Sequence, residues 1–306
     1  MIRSLIVPVA FVSVALSAGG WYISAPADAA QAPRVLTMII AHRPYSVFDR
    51  SLSVFADELE KRSNGSLSLR VVAPSELGLP DSDVARPDVE RLMRSGDVQL
   101  STSVVSAFED EAAGADRLDE PFAFGTYAEV ASFLDGEAGR SVLKNVSDAS
   151  SMEALAFTFS GGFRSIALSD GLVDRVSDIR GVRVRPTGGD ASSRALEKMG
   201  AVPDASTSDA VEFTYTRVAE LGSAFRFPVV LETKHGVLAT MILVDDEFFS
   251  SLSAREQGAL REAAQAAALV EREDSITLAE QTRAALSESG VSIIEVSDEE
   301  RTSLRQ

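Results

Sequence analysis

The chain has 306 residues, with 46 Asp and Glu against 29 Lys and Arg, a formal net charge of −17 and no cysteine. So acidic a surface repels nucleic acid and anionic lipid, which argues against both as partners, and the missing thiols exclude disulfides and thiolate catalysis. The length suits one large domain or two lobes with ample core.

The start of the chain reads as a leader. Met1-Ile2-Arg3 is a short positive start, residues 5–18 are almost wholly apolar, and Ala25-Pro26-Ala27-Asp28-Ala29-Ala30 carries an Ala-x-Ala site. This is the layout of a secretory signal spanning residues 1–29, cut after Ala29. The apolar run is short for an uncleaved anchor and is interrupted by Pro8, Gly19 and Gly20. Arg3 and Asp28 cancel, so the cut leaves the net charge unchanged. No later stretch reaches the ~20 apolar residues of a membrane span, so the mature chain is expected in the periplasm, with no stable membrane insertion.

Strands and helices then alternate. Residues 34–40 read as a strand, and 46–62 as a helix with Val47, Phe48, Leu52, Phe55 and Leu59 at helical spacing, stopped by Ser63-Asn64-Gly65 with Gly65 as left-handed cap. Strands follow at 67–72, 98–105, 154–159 and 237–244, and helices at 88–94, 127–134 and 191–199. The longest helical stretch is 253–286, where Ser253 and Glu256 form a capping box and Gly290 ends the pattern. It reads as one helix or as two with a break near Asp274-Ser275. The order is that of an α/β fold, in which ligands meet the carboxyl ends of strands.

Signatures of catalysis are missing. His42 and His235 are the only histidines, and no Gly-x-Ser-x-Gly elbow, metal-binding spacing, Walker loop or dinucleotide fingerprint occurs. No enzyme activity, metal or cofactor is expected. Binding residues stand out more. Arg164 in Gly161-Gly162-Phe163-Arg164 and Arg185 in Gly181-Val182-Arg183-Val184-Arg185-Pro186 sit in strand-like runs. Such arginines either pair with acids of the protein itself or grip a ligand carboxylate through two parallel hydrogen bonds. His42, Arg43 and Tyr45 follow the first strand, and Ser101, Thr102 and Ser103 end another, where a ligand would lie.

Several segments taken in order carry a family resemblance. They are Phe55-Ala56-Asp57-Glu58-Leu59-Glu60-Lys61-Arg62-Ser63-Asn64-Gly65, Glu76-Leu77-Gly78, Met93-Arg94-Ser95-Gly96-Asp97, Leu118-Asp119-Glu120-Pro121-Phe122-Ala123-Phe124, Gly162-Phe163-Arg164 and Ile179-Arg180-Gly181-Val182-Arg183-Val184-Arg185-Pro186. With these the chain resembles the periplasmic solute-binding proteins of tripartite ATP-independent (TRAP) transporters, the DctP type. The resemblance implies a two-lobed, hinged α/β fold of the periplasmic-binding-protein kind with a long helix crossing both lobes. One lobe would comprise residues 30–161 and 239–278, the other 162–238 and 279–306. It also implies a small organic-acid ligand, held between the lobes and delivered to the membrane subunits of a TRAP permease.

By position, Arg185 matches the family's principal carboxylate-binding arginine, Arg164 a second ligand contact, and Glu212 the glutamate of the D-G-x-E-x-P motif, here Asp209-Ala210-Val211-Glu212-Phe213-Thr214. The expected ligand-binding set is Arg185, Arg164, Glu212, Phe213, His42, Glu76 and Ser103. The chain departs from the family in three ways. The motif lacks its glycine and proline, Phe213 stands where many members carry a polar contact, and the stretch between Pro203 and Asp209 is shorter than the family's. Phe213, Tyr215 and Phe225 are the candidates to fill the altered wall. A divergent paralogue that serves a sensor or binds nothing, and a secreted enzyme using the same cleft, are the alternatives.

Overall fold

The structure, a computed structural model, describes residues 33–305 apart from 44, 81, 172, 223 and 224; the expected leader and its cleavage site lie outside these residues. Strand β1 (Arg34–Ile40) has the expected bounds. Its side chains alternate, Leu36, Met38 and Ile40 entering one apolar cluster and Ile39 another on the opposite face. Helix α1 (Asp49–Ser63) starts three residues later than expected, because Phe48 supplies no capping side chain and residues Tyr45–Phe48 form a tighter 3-10 turn. It ends with Asn64 at φ 55° and Gly65 at φ 76°, so Asn64 takes the left-handed cap position that Gly65 was expected to take.

Strand β2 (Leu67–Val72) has the expected bounds, helix α2 (Arg86–Ser95) is slightly longer than expected and β3 (Leu100–Val104) slightly shorter. Helix α3 (Tyr127–Asp135) is capped by Thr126, whose hydroxyl accepts from the Glu129 N–H at 3.2 Å. Helix α4 (Glu137–Ala149) was not expected.

Two strands are far longer than the sequence pattern indicates. β4 (Met152–Leu168) and β8 (Val229–Asp245) each run 17 residues and pair antiparallel. Ser160 at φ 50° and Gly162 at φ 66° interrupt the apolar alternation of β4 and coincide with a register shift between Thr158 and Gly162. The polar run Glu232-Thr233-Lys234-His235, with Lys234 at φ 49°, does the same in β8.

The remaining elements are β5 (Arg183–Val184), α5 (Gly189–Lys198), β6 (Val202–Pro203), β7 (Ala210–Thr214), α6 (Tyr215–Leu221), α7 (Asp246–Ser250), α8 (Ala254–Glu288), β9 (Ser292–Glu295) and α9 (Asp298–Leu304). The main sheet has the order β2-β1-β3-β8-β4-β7, with β9 also paired to β8, and β5 and β6 form a small parallel sheet. Two apolar clusters cover the faces of the β2-β1-β3 half and two more those of the β7-β9 half. This is the expected two-lobed α/β plan.

Helix α8 is continuous over 35 residues, with no break at Asp274-Ser275, and spans ~52 Å. Its Ser253–Glu256 capping box forms as expected. Ala263, Ala264, Ala267 and Ala268 join the cluster of one half and Ala279 that of the other. Among the described residues, no helix is long and apolar enough to cross a membrane.

Candidate functional site

Arg185 owes its position to strand alternation. Its N–H donates to the Ala210 carbonyl at 3.0 Å and its carbonyl accepts from the Glu212 N–H at 2.9 Å, so the chain after β5 is pinned to β7. Val184 is fully buried, and the next side chain therefore points the opposite way, outward. Pro186 has no N–H with which to continue the ladder. The exposed Arg185 guanidinium borders a cavity of about 250 Å³, whose walls include His42, Thr187, Glu212, Phe213 and Leu238. Among the described residues, no acid pairs with it.

A second cavity of about 440 Å³ adjoins the first, sharing His42, Asp83, Thr187 and Leu238 and adding Ser103 at the end of β3. The two form one cleft between the carboxyl ends of β1 and β3 and the β7 half of the sheet. Asp83 crosses it, accepting from the Arg43 N–H at 2.9 Å and pairing with Arg217 of α6 at 3.3 Å. Burial pushes the pKa of His42 down to about 4, against the pull of Asp83, and Arg217 and Arg43 lower it further. The ring is neutral near pH 7.

Behind the cleft lies a buried ionic network. Glu212 is wholly buried on β7 and diagonal to Arg164, which pairs with Thr214 in the β4–β7 ladder. Glu212 Oε2 accepts from the Thr187 N–H at 2.9 Å, the Thr187 hydroxyl at 2.5 Å and the Ser192 hydroxyl. Its Oε1 lies 2.9 Å from His235 Nε2, while His235 Nδ1 is 2.7 Å from the Thr233 hydroxyl. An Nε2–H tautomer thus donates to Glu212 and accepts from Thr233. Burial alone would raise the Glu212 pKa, but Arg164, His235 and Ser192 outweigh it and hold the carboxyl well below the usual range. Arg164 Nη1 is 3.6 Å from Glu212 Oε1, and Nη2 donates to Asp119 and to the Val237 carbonyl at 3.2 Å.

The structure divides the expected site residues. Arg185, Glu212, Phe213 and His42 border one cavity, and Ser103 borders the adjoining one. Arg164 borders neither, because two protein acids hold it inside the sheet. Glu212 reaches the cavity wall with both oxygens already turned to protein donors. Glu76 is exposed away from the cleft, where it pairs with Arg70 at 3.3 Å and accepts from the Ala73 N–H at 2.9 Å. Sequence reasoning missed Thr187, Asp83 and Arg217. Alternation from Arg185 pointed to Thr187, two residues on, whereas Asp83 lies in a loop with no pattern to mark it. Among the described residues, no His and carboxylate cluster could hold a metal ion.

The family pattern described as "Bacterial extracellular solute-binding protein, family 7" (DctP) matches residues 41–306. The 2,3-diketo-L-gulonate-binding periplasmic protein YiaO of Escherichia coli (strain K12) is 24% identical over 254 residues, 78% of this chain and 74% of that protein. A TRAP periplasmic solute-binding protein from Ochrobactrum anthropi, solved with its C-terminus bound in the ligand-binding pocket, has a TM-score of 0.78 at 18% identity, covering 89% of this chain and 87% of that one. Another, from Roseobacter denitrificans with bound β-D-glucuronate, has a TM-score of 0.74 at 19% identity, covering 89% and 91%.

Proposed function

The chain belongs to the DctP family of bacterial extracellular solute-binding proteins, family 7, and from that premise we propose that it is a periplasmic receptor which holds a small carboxylate-bearing organic acid against Arg185 and delivers it to a TRAP permease. It is a binding protein and not an enzyme, as the family's proteins are. The observation that carries the reading is the Arg185 guanidinium, exposed at a cavity of about 250 Å³ and left unpaired among the described residues. A guanidinium in a cleft matches a carboxylate with two parallel hydrogen bonds, which a lysine does not reproduce. The relatives named above, one a diketogulonate-binding protein and one with bound glucuronate, support an acid as ligand.

Closure would turn on β4 and β8. We take the lobes to meet where Gly162 pairs with Leu238, beside the register shift and the left-handed Ser160 and Gly162. On this reading one lobe comprises residues 30–161 and 239–278 and the other 162–238 and 279–306.

The test is isothermal titration of the secreted protein against a panel of organic acids, with Arg185→Ala beside the wild type. Wild type binds at least one acid, and the variant melts within ~2 °C of wild type yet loses affinity by roughly a hundredfold or more, as expected when a buried carboxylate is left alone. An acid bound equally well by Arg185→Ala would refute the assignment.

A further inference from the structure

We infer that the solute is a monocarboxylate with an apolar body, aromatic or branched aliphatic, and not a polyhydroxylated sugar acid. The inference rests on the reading of Arg185 as the carboxylate anchor and concerns what surrounds the rest of the molecule.

The wall beyond Arg185 is aromatic. Phe213 lies edge-on to Tyr215 with centroids 5.3 Å apart and 5.8 Å from Phe225, which is 5.5 Å from Phe227. Phe213, Phe225 and Phe227 border the cavity together with Val218 and Leu238. Phe213 precedes α6 in the chain, and Phe225 and Phe227 follow it. The cavity of about 250 Å³ exceeds the roughly 150 Å³ that accommodates a benzene-sized molecule.

The polar groups along this wall are already engaged. The Thr187 N–H and hydroxyl both donate to Glu212. The Thr214 hydroxyl caps α6 by accepting from the Arg217 N–H at 3.4 Å and is 3.1 Å from the Thr216 hydroxyl. Glu212 faces Thr187, Ser192, His235 and Arg164, and Asp83 faces Arg43 and Arg217. Within this cavity that leaves the Arg185 guanidinium for the carboxylate and the neutral His42 ring for one further polar atom, while Ser103 and Ser106 border the adjoining cavity. A sugar acid brings four or five hydroxyls, and each one buried without a partner weakens binding roughly tenfold. An apolar ring or branch that covers ~80 Å² of this wall tightens binding roughly thirtyfold.

Titration calorimetry of the secreted protein with phenylacetate, 4-methylpentanoate, D-glucuronate and D-galactonate separates the cases, with Arg185→Ala and Phe225→Ser as variants. The expected result has three parts. One or both apolar acids bind at least ~30-fold more tightly than either sugar acid, Arg185→Ala abolishes that binding, and the half-buried Phe225→Ser weakens the apolar acids in a protein that stays folded at the titration temperature. If D-glucuronate or D-galactonate binds as tightly as the apolar acids and still depends on Arg185, the inference is overturned and the anchor stands. Apolar acids that bind Arg185→Ala undiminished, or a wild type that binds none of the four, overturn the anchor and the inference together.

Discussion

Glu212→Gln separates framework from ligand contact more sharply than any other substitution in the cleft. The side chain keeps its volume but loses its charge, 3.6 Å from Arg164 Nη1 and 2.9 Å from His235 Nε2. It also presents an amide NH₂ to a shell of donors comprising Thr187, Ser192 and His235. Arg164 is left buried with Asp119 as its one remaining acid. Removing one partner of a buried pair costs about 3–5 kcal/mol. In a chain of this size that lowers Tm by roughly 6–20 °C.

The pH dependence has a definite sign. Glu212 has a folded pKa below its unfolded value, so its contribution is present above about pH 4.5 and is lost as pH falls through the depressed folded value. The deficit of the variant is therefore complete at pH 7 and narrows only in strong acid. Calorimetric melting of the unliganded protein at pH 7 and at pH 3 tests this. A Tm within ~2 °C of wild type at pH 7 would show that the network does not hold the fold, and that Glu212 is free to serve the ligand instead. Arg185→Ala is the counterpart, leaving the unliganded Tm in place while removing binding.

Two further outcomes concern the middle of β4. Glu271 is buried under β4, where it accepts from the N–H groups of Phe159 at 2.6 Å and Ser160 at 2.7 Å and from the Ser275 hydroxyl at 2.6 Å, yet burial still pushes its pKa up to about 7. Its folded pKa exceeds its unfolded one, so its contribution is greatest below about pH 4.5 and declines by about 3 kcal/mol as pH rises through 7. Glu271→Gln flattens that slope, seen as a variant-minus-wild-type Tm difference that grows more favourable between pH 5 and pH 8, and parallel curves would refute the assignment. Gly162→Ala places a methyl 2.6 Å from the Tyr127 hydroxyl at φ 66°. The left-handed strain alone costs about 1–2 kcal/mol, so urea unfolding should show a loss of at least that size with an unchanged m-value.

The parts of the fold that the sequence revealed are those where one local rule operates unopposed. The mostly β-branched or apolar run Arg34–Ile40 marked β1, and the Ser253–Glu256 box marked the start of α8. Strands β4 and β8 were read at a fraction of their length because their middles hold left-handed residues, register shifts and part of the ionic network. Ser160-Gly161-Gly162 and Glu232-Thr233-Lys234-His235 break the period that identifies a strand, and the β4–β8 ladder shifts register around both. Helix α4 has strong neighbours at Val142 and Val146 but follows Gly136 directly after α3, where a glycine reads as a loop. At the site, Arg185 was legible from its place before Pro186. The difference between Arg164 and Arg185 was not, because both are strand arginines beside apolar residues and what separates them is the company supplied by distant segments.

That company also limits what the cleft can hold. Asp119 precedes α3 and Glu212 lies on β7, and the sheet brings both to Arg164, so this cation is neutralised from within and overmatched by two acids. Arg217 is likewise shared between Asp83 at 3.3 Å and Glu220 at 3.6 Å. Among the described residues, a ligand entering the cleft would meet one cation without a counterion, Arg185, in a chain of net charge −17. A second carboxylate on the same ligand would face Glu212 and Asp83 across a cavity of about 250 Å³, where like charges at close range cost several kcal/mol. On the proposed reading, one free arginine would select for a single negative charge, and the engaged hydroxyls and aromatic wall beside it for what that charge is attached to.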